Sequence, residues 1–357
     1  MSRNMKHALI TGITGQDGAY LAKFLVDKGY EVFGTYRRSS TPNFWRLEYL
    51  DIFSKINLIP ADLGDAGSIV EALKISSPDE VYHLAAQSFV EASFEVPVAT
   101  AEITGLSVVR ILEAIRQNHK DVKFYFAASS EMYGLTSLVL KEARSLNEED
   151  IFRPMSPYAA AKLYAYWITK IYREGYHIFA VNGILFNHES PLRGLEFVTR
   201  KIANGVAKIS LGVRKDLRLG NLDAKRDWGY APEYVEAMWR MLSTDSPDDY
   251  VIATGETHSV REFVSKAFEV VNLNWEDYVK VEKRFQRPLD VPCLMGDYSK
   301  AQNKIGWKPK TKFCELVEIM VKEEVDRWER YLKGERFPWD APNYPDETKI
   351  LTRALRM

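Results

Sequence analysis

The sequence predicts an α/β fold, with a doubly wound parallel sheet in the first half of the chain and a smaller, mixed α/β domain after it. Short apolar, strand-like runs alternate with amphipathic helical segments as far as residue 184, the pattern of a parallel sheet with helices on both faces. A glycine-rich turn separates the first strand from the first helix. Beyond residue 185 the alternation gives way to polar loops. We therefore expect one domain over residues 1–185, which also receives segments around residues 230–255, and a second over residues 186–357.

The composition excludes several classes of protein. The chain has 357 residues, of which 46% are hydrophobic and 27% charged, and its net charge of -1 predicts no nucleic-acid or membrane partner. The amino terminus, MSRNMKHALITG, runs directly into a strand and does not have the pattern of a signal peptide. The two cysteines, Cys293 and Cys314, have no metal or redox spacing, and the histidines form no zinc motif. We expect a cytoplasmic protein without a metal site.

The first strand-helix-strand unit is typical of a nucleotide-binding domain. Strand His7–Thr11 leads into the turn GITGQDG, which begins at Gly12, and a helix over residues 19–28 precedes strand Glu31–Tyr36. Glycines at this place let the backbone approach a pyrophosphate, whose charge the helix N-terminus favours. The spacing is GxxGxxG rather than GxGxxG, but its position between strand and helix predicts a Rossmann-type domain.

The end of the second strand predicts which dinucleotide binds. An NAD site usually has an acidic residue there, for the ribose 2′-hydroxyl. This chain has Arg37 followed by Arg-Ser-Ser, and two cations with two hydroxyls suit a 2′-phosphate. The sequence therefore favours NADP as cofactor, with a solvated basic turn as the alternative.

The alternation continues through the first domain and into the second. Further strands are predicted at residues 57–61, 80–85, 123–128, 177–184 and 250–253. Helices are predicted from residue 65, over residues 96–118, 158–176, 197–208 and 235–242, from residue 259, and over Phe313–Leu332. Ligands of such sheets bind at the carboxyl ends of the strands.

The stretch from residue 124 to residue 166 carries the chemistry. Its strand delivers Ser129 and Glu131 at the carboxyl end of the sheet, and Ser156 followed by proline predicts a helix start. Tyr158 and Lys162 are then four residues apart on one helical face. A nearby ammonium lowers the pKa of a phenol, so Tyr158 is a candidate base, Glu131 a second one, and Ser129 a hydroxyl donor. The alternative is a core tyrosine and a surface lysine on an ordinary helix.

Two polar loops in the second half are rich in charge. They cover residues 186–194 and 219–229, and a third segment places Arg287 and Asp290 three residues apart. Guanidinium groups pair with phosphate oxygens, so these loops suit a diphosphate. A salt-bridged surface loop is the alternative.

Several longer strings give the chain a family resemblance. They are ALITGITGQDGAYLA, RRSS, SPYAAAKLYAYW, AVNGILFNHESPLRG, FVTRKI, LGNLDAKRDWGYAPEYVEAMW and DDYVIATGETHSVREF. Together they resemble the GDP-mannose 4,6-dehydratase family of the extended short-chain dehydrogenase/reductase superfamily, from about His7 to Lys312. The YxxxK motif is shared by many activities, whereas LFNHESP with GNLDAKRDWG is much narrower.

The resemblance implies a role for each matching residue. It implies catalysis by Ser129, Glu131, Tyr158 and Lys162. The implied NADP-binding residues are Gly12, Thr14, Gly15, Gln16, Asp17, Gly18, Arg37, Asp62, Leu63, Leu84, Ala86, Ser88, Tyr158, Lys162, His188 and Arg193. The implied GDP-sugar-binding residues are Ser88, Glu131, Asn187, Val198, Lys201, Leu219, Arg226, Arg287 and Asp290.

The implied reaction is the loss of water from a GDP-hexose by internal hydride transfer from C4 to C6, which leaves a 4-keto-6-deoxy sugar. In it, Tyr158 takes the C4 hydroxyl proton, and Glu131 removes the C5 proton and protonates the departing C6 hydroxyl. The resemblance also implies a homo-oligomer, a dimer or a tetramer.

Departures from the family pattern leave the substrate and the activity open. Ser129 stands where the family usually has threonine, Phe126-Ala127-Ala128 stand where Gln-Ala-Ser is usual, and Phe89 stands where histidine is common. The substrate could therefore be GDP-manno-heptose. The chain could also be an NADPH-dependent GDP-4-keto-6-deoxy-sugar reductase, or a nucleotide-binding regulator without activity.

Overall fold

The computed structural model describes residues 5–40, 43–118, 121–136, 144–282, 291 and 293–335. Within these ranges the strands are β1 (His7–Thr11), β2 (Glu31–Tyr36), β3 (Asn57–Pro60), β4 (Glu80–His83), β5 (Lys123–Ser129), β6 (Ala180–Leu185), β7 (Asn187–Glu189), β8 (Leu217–Leu219), β9 (Lys225–Arg226), β10 (Trp228–Tyr230), β11 (Asp249–Ile252), β12 (His258–Ser259), β13 (Val279–Val281) and β14 (Cys293–Leu294).

Helices cover both faces of the central sheet and build most of the second half. They are α1 (Gln16–Asp27), α2 (Trp45–Tyr49), α3 (Ala66–Ser76), α4 (Ala92–Glu95), α5 (Pro97–Thr100), α6 (Ser107–Asn118), α7 (Pro157–Tyr176), α8 (Val198–Ser210), α9 (Ala231–Leu242), α10 (Val260–Val270), α11 (Ser299–Ile305) and α12 (Phe313–Leu332). A stretch of π-helix, Ala101–Leu106, precedes α6. No helix among the described residues has the length and apolar character needed to cross a bilayer.

Among the described residues, seven strands form one parallel sheet in the order β11-β6-β5-β4-β1-β2-β3. The chain builds outward from β1 to β3 and then restarts at β4 on the other side of β1. This topology confirms the predicted Rossmann-type doubly wound sheet. The reversal between β1 and β4 is the place where ligands of such sheets bind.

The second half forms a smaller and mixed structure, as predicted. Its short strands pair as β10-β7, β12-β9-β14 and β13-β8, and the pairing of β12 with β9 is antiparallel, whereas the others are parallel. There, α8, α10 and α12 pack against one another around a separate apolar core. Two further cores lie on the two faces of the main sheet.

Local sequence signals explain where several elements begin. The Ser156 hydroxyl accepts a hydrogen bond from Ala159 N at 3.1 Å and caps α7, as predicted. The Ser259 and Glu262 side chains form a reciprocal capping box at α10, which the spacing also predicted. The charged segment with Arg287 and Asp290 lies outside the described residues.

Some predicted elements differ in extent from those observed. The helix predicted over residues 96–118 begins at Pro97, because Val96 has a non-helical backbone before that proline, and it includes the π-helical stretch before α6. The strand predicted from residue 177 begins only at Ala180, because His177 adopts a left-handed conformation that ends α7.

Candidate active site

The glycine-rich turn after β1 is built for close backbone approach. Gly12 has a φ of +73°, and a Cβ atom there would lie 2.8 Å from the Cα of Ala85. A Cβ atom on Gly18 would lie 2.4 Å from the carbonyl oxygen of Gly12. Gly15 precedes α1 and offers no side-chain cap, so the first N–H groups of that helix remain available to a phosphate. The turn therefore fits a dinucleotide pyrophosphate, as the sequence predicted.

Replacing Gly12 by alanine is expected to weaken NADP binding strongly. The left-handed backbone costs a non-glycine residue about 1–2 kcal/mol, and the added Cβ also forces the turn away from Ala85. Gly29→Ala is a matched control, because Gly29 has a φ of +81° but open space around its Cβ position. NADP titration and thermal unfolding of both variants make the comparison. Equal loss of NADP affinity in the two would contradict a special role for the turn at Gly12.

A cleft of about 280 Å³ opens at the carboxyl ends of the strands, at the edge of the glycine-rich turn. It brings together many residues that lie far apart in the sequence. The predicted catalytic, cofactor and sugar residues that line it are Asp17, Leu84, Ala86, Ser88, Ser129, Glu131, Tyr158, Lys162, Asn187, His188, Arg193, Val198, Lys201, Leu219 and Arg226.

The remaining predicted residues do not line this cleft. Five of these residues lie in the glycine-rich turn: Gly12, Thr14, Gly15, Gln16 and Gly18. Arg37 is exposed just beyond β2, and the exposed Asp62 and half-buried Leu63 follow β3, so these three lie at the next two strand ends of the same sheet. Arg287 and Asp290 lie outside the described residues.

The predicted catalytic groups converge from two elements. Ser129 ends β5, and its Oγ accepts a hydrogen bond from Glu131 N at 3.2 Å, which holds Glu131 in a tight turn at the strand end. Tyr158 and Lys162 lie in the first two turns of α7, which packs against β5. The Lys162 Nζ donates to the Ala127 carbonyl at 2.6 Å. A hydroxyl, a phenol, an ammonium group and a carboxylate thus line one cleft.

The sequence predicted that Lys162 lowers the pKa of Tyr158, and this is wrong for the protein groups alone. Burial raises the pKa of Tyr158 to about 12, against the opposing hydrogen bond with Ser129. Burial lowers the pKa of Lys162 to about 7, against the attraction of Asp17. The reason is that desolvation disfavours phenolate and ammonium alike, and Nζ of Lys162 lies 5.8 Å from the centroid of the Tyr158 ring.

An ion pair joins Asp17, in the glycine-rich turn, to His188 in β7. The His188 Nε2 lies 2.8 Å from the Asp17 carboxylate, and Nδ1 donates to the Phe186 carbonyl at 2.7 Å. Burial opposes both charges, but the interaction with Asp17 raises the pKa of His188, and His188 lowers the pKa of Asp17 to about 2. The pair of His188 and Asp17 is therefore a structural part of the cleft wall beside the expected cofactor.

Helix α8 directs its N-terminus into the cleft. Val198, Thr199 and Lys201, all in its first turn, line the cleft, and the preceding Phe197 provides no side-chain cap. The partial positive charge of a helix N-terminus and a lysine side chain together favour an anionic group such as a diphosphate. The sequence predicted Val198 and Lys201 here, but not the contribution of Thr199.

An aromatic wall of the cleft was not predicted. The Phe89 and Phe197 rings meet edge to face with centroids 5.7 Å apart, and the Arg193 guanidinium lies 3.7 Å from the Phe197 ring centroid. Glu189 pairs with Arg193 at 3.2 Å. Phe89 stood out in the sequence only as a departure from the family pattern. No signal in the sequence joined it to Phe197, since 108 positions in the numbering separate them.

The comparisons with known proteins agree with the geometry of this cleft. A family model described as GDP-mannose 4,6 dehydratase matches residues 9–320. The chain is 49% identical over 331 residues to GDP-mannose 4,6 dehydratase 1 of Arabidopsis thaliana, with 90% of each chain covered. It is 48% identical over 351 residues to GDP-mannose 4,6 dehydratase of Homo sapiens, with 91% of this chain and 93% of the relative covered.

Solved structures with the same fold include proteins in complex with NAD or NADPH. The UDP-glucose 4-epimerase of Thermus thermophilus, in complex with NAD, superposes with a TM-score of 0.78 at 25% identity, covering 89% of this chain and 98% of that one. The RMD protein of Pseudomonas aeruginosa complexed with NADPH superposes with a TM-score of 0.74 at 22% identity, covering 90% of this chain and 100% of that one. The family model and the relatives that are nearly half identical show that the chain belongs to the GDP-mannose 4,6 dehydratase family.

Proposed function

We propose that this chain converts GDP-mannose to the GDP-4-keto-6-deoxy sugar with loss of water, using NADP that is regenerated in each turnover. Membership of the family supports the reaction. The observation that carries the proposal is the position of Glu131, whose side chain lines the same cleft as Tyr158 and Lys162. A reductase of a keto sugar needs the tyrosine and the lysine, but it has no use for a carboxylate that transfers a C5 proton.

The first catalytic step belongs to Tyr158. Its phenolate accepts the proton of the C4 hydroxyl as C4 is oxidised, and Ser129, whose hydroxyl interacts with the Tyr158 side chain, holds the same sugar oxygen. Lys162, anchored on the Ala127 carbonyl, supports the nicotinamide ribose.

The second step belongs to Glu131. A ketone at C4 makes the neighbouring C5 hydrogen acidic, and the Glu131 carboxylate removes it as a proton. The same group, now protonated, donates to the departing C6 hydroxyl, so water leaves. One side chain thus acts first as base and then as acid, and its tight turn beside Ser129 holds it at the strand end for both transfers.

NADP fits the turn and the cleft beside it. A Cβ atom at Gly12 or Gly18 would clash with neighbouring backbone, so only glycine at both positions permits this tight turn, which brings the backbone close to the pyrophosphate. We propose that Arg37 meets the 2′-phosphate and that Asp62 and Leu63 flank the adenine, as the resemblance implies. When bound, NADP supplies the hydride acceptor and donor, and its positively charged nicotinamide ring favours the phenolate of Tyr158.

The GDP-sugar occupies the part of the cleft that is lined by Asn187, Lys201 and Arg226. The N-terminus of α8 meets its diphosphate there. The Arg226 guanidinium is held by the Val291 carbonyl at 2.6 Å, which orients it before substrate binds. Arg287 is proposed to bind the phosphates as well, and Asp290 the nucleotide ribose, from the resemblance alone.

Incubation of the purified protein with GDP-mannose, and separately with GDP-manno-heptose, tests this function. Mass spectrometry is expected to show the loss of one water from GDP-mannose without added NADPH, and NADP is expected in the supernatant of the denatured protein. Dehydration of the heptose alone would keep the mechanism and change the substrate. Consumption of added NADPH on a keto sugar, with no dehydration, would instead make the chain a reductase.

We propose a homo-oligomer, assembled through an apolar face that α7 forms with the helical segment before α6. Tyr164, Trp167 and Ile171 are 44%, 48% and 52% exposed on successive turns of α7. Val98 and Leu106, which are 76% and 37% exposed, lie on the neighbouring helix that packs against α7. A contiguous apolar face of this kind indicates a contact between copies, in a dimer or a tetramer.

Trp167→Glu is expected to shift the protein towards the monomer, because a charge would be buried in that contact. Size-exclusion chromatography with light scattering measures the mass. Val213→Glu places the same charge on a residue that is 45% exposed in the second half and should leave the assembly intact. An unchanged mass for Trp167→Glu would exclude this face as the interface.

The domain division proposed is residues 1–185, with the segments around residues 230–255 that contain α9 and β11, for NADP, and most of residues 186–357 for the GDP-sugar. The cytoplasm is the proposed compartment, since Cys293 and Cys314 are both thiols and form no disulfide.

A further inference from the structure

Three arginines donate to three successive carbonyl groups in the turn that follows β7. The turn closes with Arg193 N bonded to the Ser190 carbonyl at 3.1 Å. Arg327 Nη1 donates to the Pro191 carbonyl at 2.7 Å, and Arg46 Nε to the Leu192 carbonyl at 2.7 Å. Nη1 of the third arginine, Arg200, donates to the carbonyl of Arg193. They come from three different elements: α12, α2 and α8.

A buried carboxylate holds two of these arginines. Glu324 Oε1 accepts from Arg200 Nε at 2.9 Å and from Arg327 Nη1 at 2.8 Å, and Oε2 accepts from Asn204 at 2.7 Å. Glu324 and Arg200 are 0% exposed, and Arg327 is 1% exposed. Burial opposes its charge, but the two arginines lower the pKa of Glu324, so the cluster is ionised. None of these groups lines the cleft.

The turn connects this cluster to the expected cofactor site. The side chain of Arg193 leaves the turn and lines the cleft, where it lies over Phe197. On the other side, the Ser190 hydroxyl donates to Gln16 Oε1 at 2.8 Å. Arg46 also donates to the Thr14 carbonyl at 3.2 Å, so it touches both the glycine-rich turn and the turn before Arg193.

A gain in folding stability does not by itself explain why so many charged side chains are buried here. Apolar side chains of similar volume usually stabilise a protein as well as a buried ion cluster does, whereas an ionic cluster selects one geometry. Here the arginine side chains donate to successive backbone carbonyl groups of one short turn, with a separate N–H group for each carbonyl. The arrangement therefore specifies where the turn, and the side chain it presents, must lie.

We infer that Arg46, Arg200 and Arg327 are positioning residues, which set the turn before Arg193 and thereby hold the Arg193 guanidinium where NADP binds. The inference rests on the proposed role of Arg193 as a cofactor contact. It makes the C-terminal helix α12 part of the cofactor site, although its residues do not touch the cleft. Because Arg200 lies beside Lys201 in α8, the same cluster also aligns the helix end that meets the GDP-sugar.

The test compares NADP affinity with stability in matched variants. Arg327→Lys keeps a charge near Glu324 but lacks the reach to serve the Pro191 carbonyl, and Arg46→Met keeps the packing and removes both donors. Arg173→Lys is the control. Its arginine is largely but not fully buried, with 11% of the side chain exposed, pairs with Asp249 at 2.7 Å and donates to a backbone carbonyl, at the opposite end of the sheet.

We expect Arg327→Lys and Arg46→Met to weaken NADP binding about tenfold, as the loss of one charge-assisted hydrogen bond would. Arg173→Lys should lower the thermal unfolding temperature about as much as Arg327→Lys and Arg46→Met do. It should leave the NADP dissociation constant unchanged. Arg46→Met keeps the question answerable if Arg327→Lys does not fold. Affinity losses that only follow stability, and equal those of the Arg173 variant, would overturn the inference.

A double-mutant cycle tests the last link. If Arg327 acts through Arg193, then Arg327→Lys should weaken NADP binding no further in an Arg193→Ala background. Additive losses would overturn the inference, and so would an Arg193→Ala variant with unchanged affinity. NADP binding is measured without turnover, so a protein that binds NADP but does not dehydrate GDP-mannose would contradict the proposed function and still decide this question.

Discussion

Glu131→Gln is expected to stop the reaction after the first oxidation, lowering kcat by about 10²–10⁴-fold, the usual contribution of a positioned proton-transfer group. Glutamine keeps the size and the hydrogen-bonding shape of the side chain, so the turn held by Ser129 Oγ should persist. What it loses is the ability to accept the C5 proton and deliver it to the C6 hydroxyl. Both transfers fail together, because one group performs them in sequence.

Two measurements separate this result from a general loss of activity. With GDP-mannose, the variant should still reduce its bound nicotinamide, which is visible in the near-ultraviolet absorbance. In D₂O, the wild-type product should carry deuterium at C5, whereas the variant should leave the C5 hydrogen unexchanged. Near-wild-type turnover, or exchange at C5 in the variant, would assign the proton transfer to another group.

The motifs that were predictable from the sequence are local. The glycine-rich turn, the pair Ser129 and Glu131 at a strand end, and the pair Tyr158 and Lys162 each lie within a few residues. Their geometry follows from strand and helix rules, and each now lies in or beside one cleft. The alternation of apolar segments was enough to place the strand ends at one edge of a parallel sheet.

The parts that escaped prediction depend on long-range packing. The partner of Asp17 is His188, 171 residues later, and the turn before Arg193 is held in part by Arg46 of α2 and Arg327 of α12, which are 146 and 136 residues from the carbonyl groups they bind. The pKa of Tyr158 was predicted in the wrong direction, because the sequence shows the nearby lysine but not the burial of both groups. Burial is a property of the assembled fold, and here it outweighs the charge that the sequence revealed.

Tyr158→Phe is expected to abolish the first oxidation, with a loss in kcat again of about 10²–10⁴-fold. The ring remains to pack in its buried place, so thermal stability should change little, but the C4 hydroxyl proton then has no acceptor. Unlike Glu131→Gln, this variant should show no transient reduction of its nicotinamide on addition of GDP-mannose. The two variants therefore stop the reaction on opposite sides of the same hydride transfer.

The contrast between these variants also tests how the buried phenol becomes a base. The protein groups alone hold the pKa of Tyr158 at about 12, so the phenolate must be favoured by something other than Lys162. The positive nicotinamide ring is the charge that the proposed complex adds. NADP should therefore lower the phenol pKa, which ultraviolet difference titration of the complex, with Tyr158→Phe as the blank, would measure. Full activity in Tyr158→Phe would exclude the phenol as the base, and an unshifted pKa in the complex would exclude the cofactor charge as its cause.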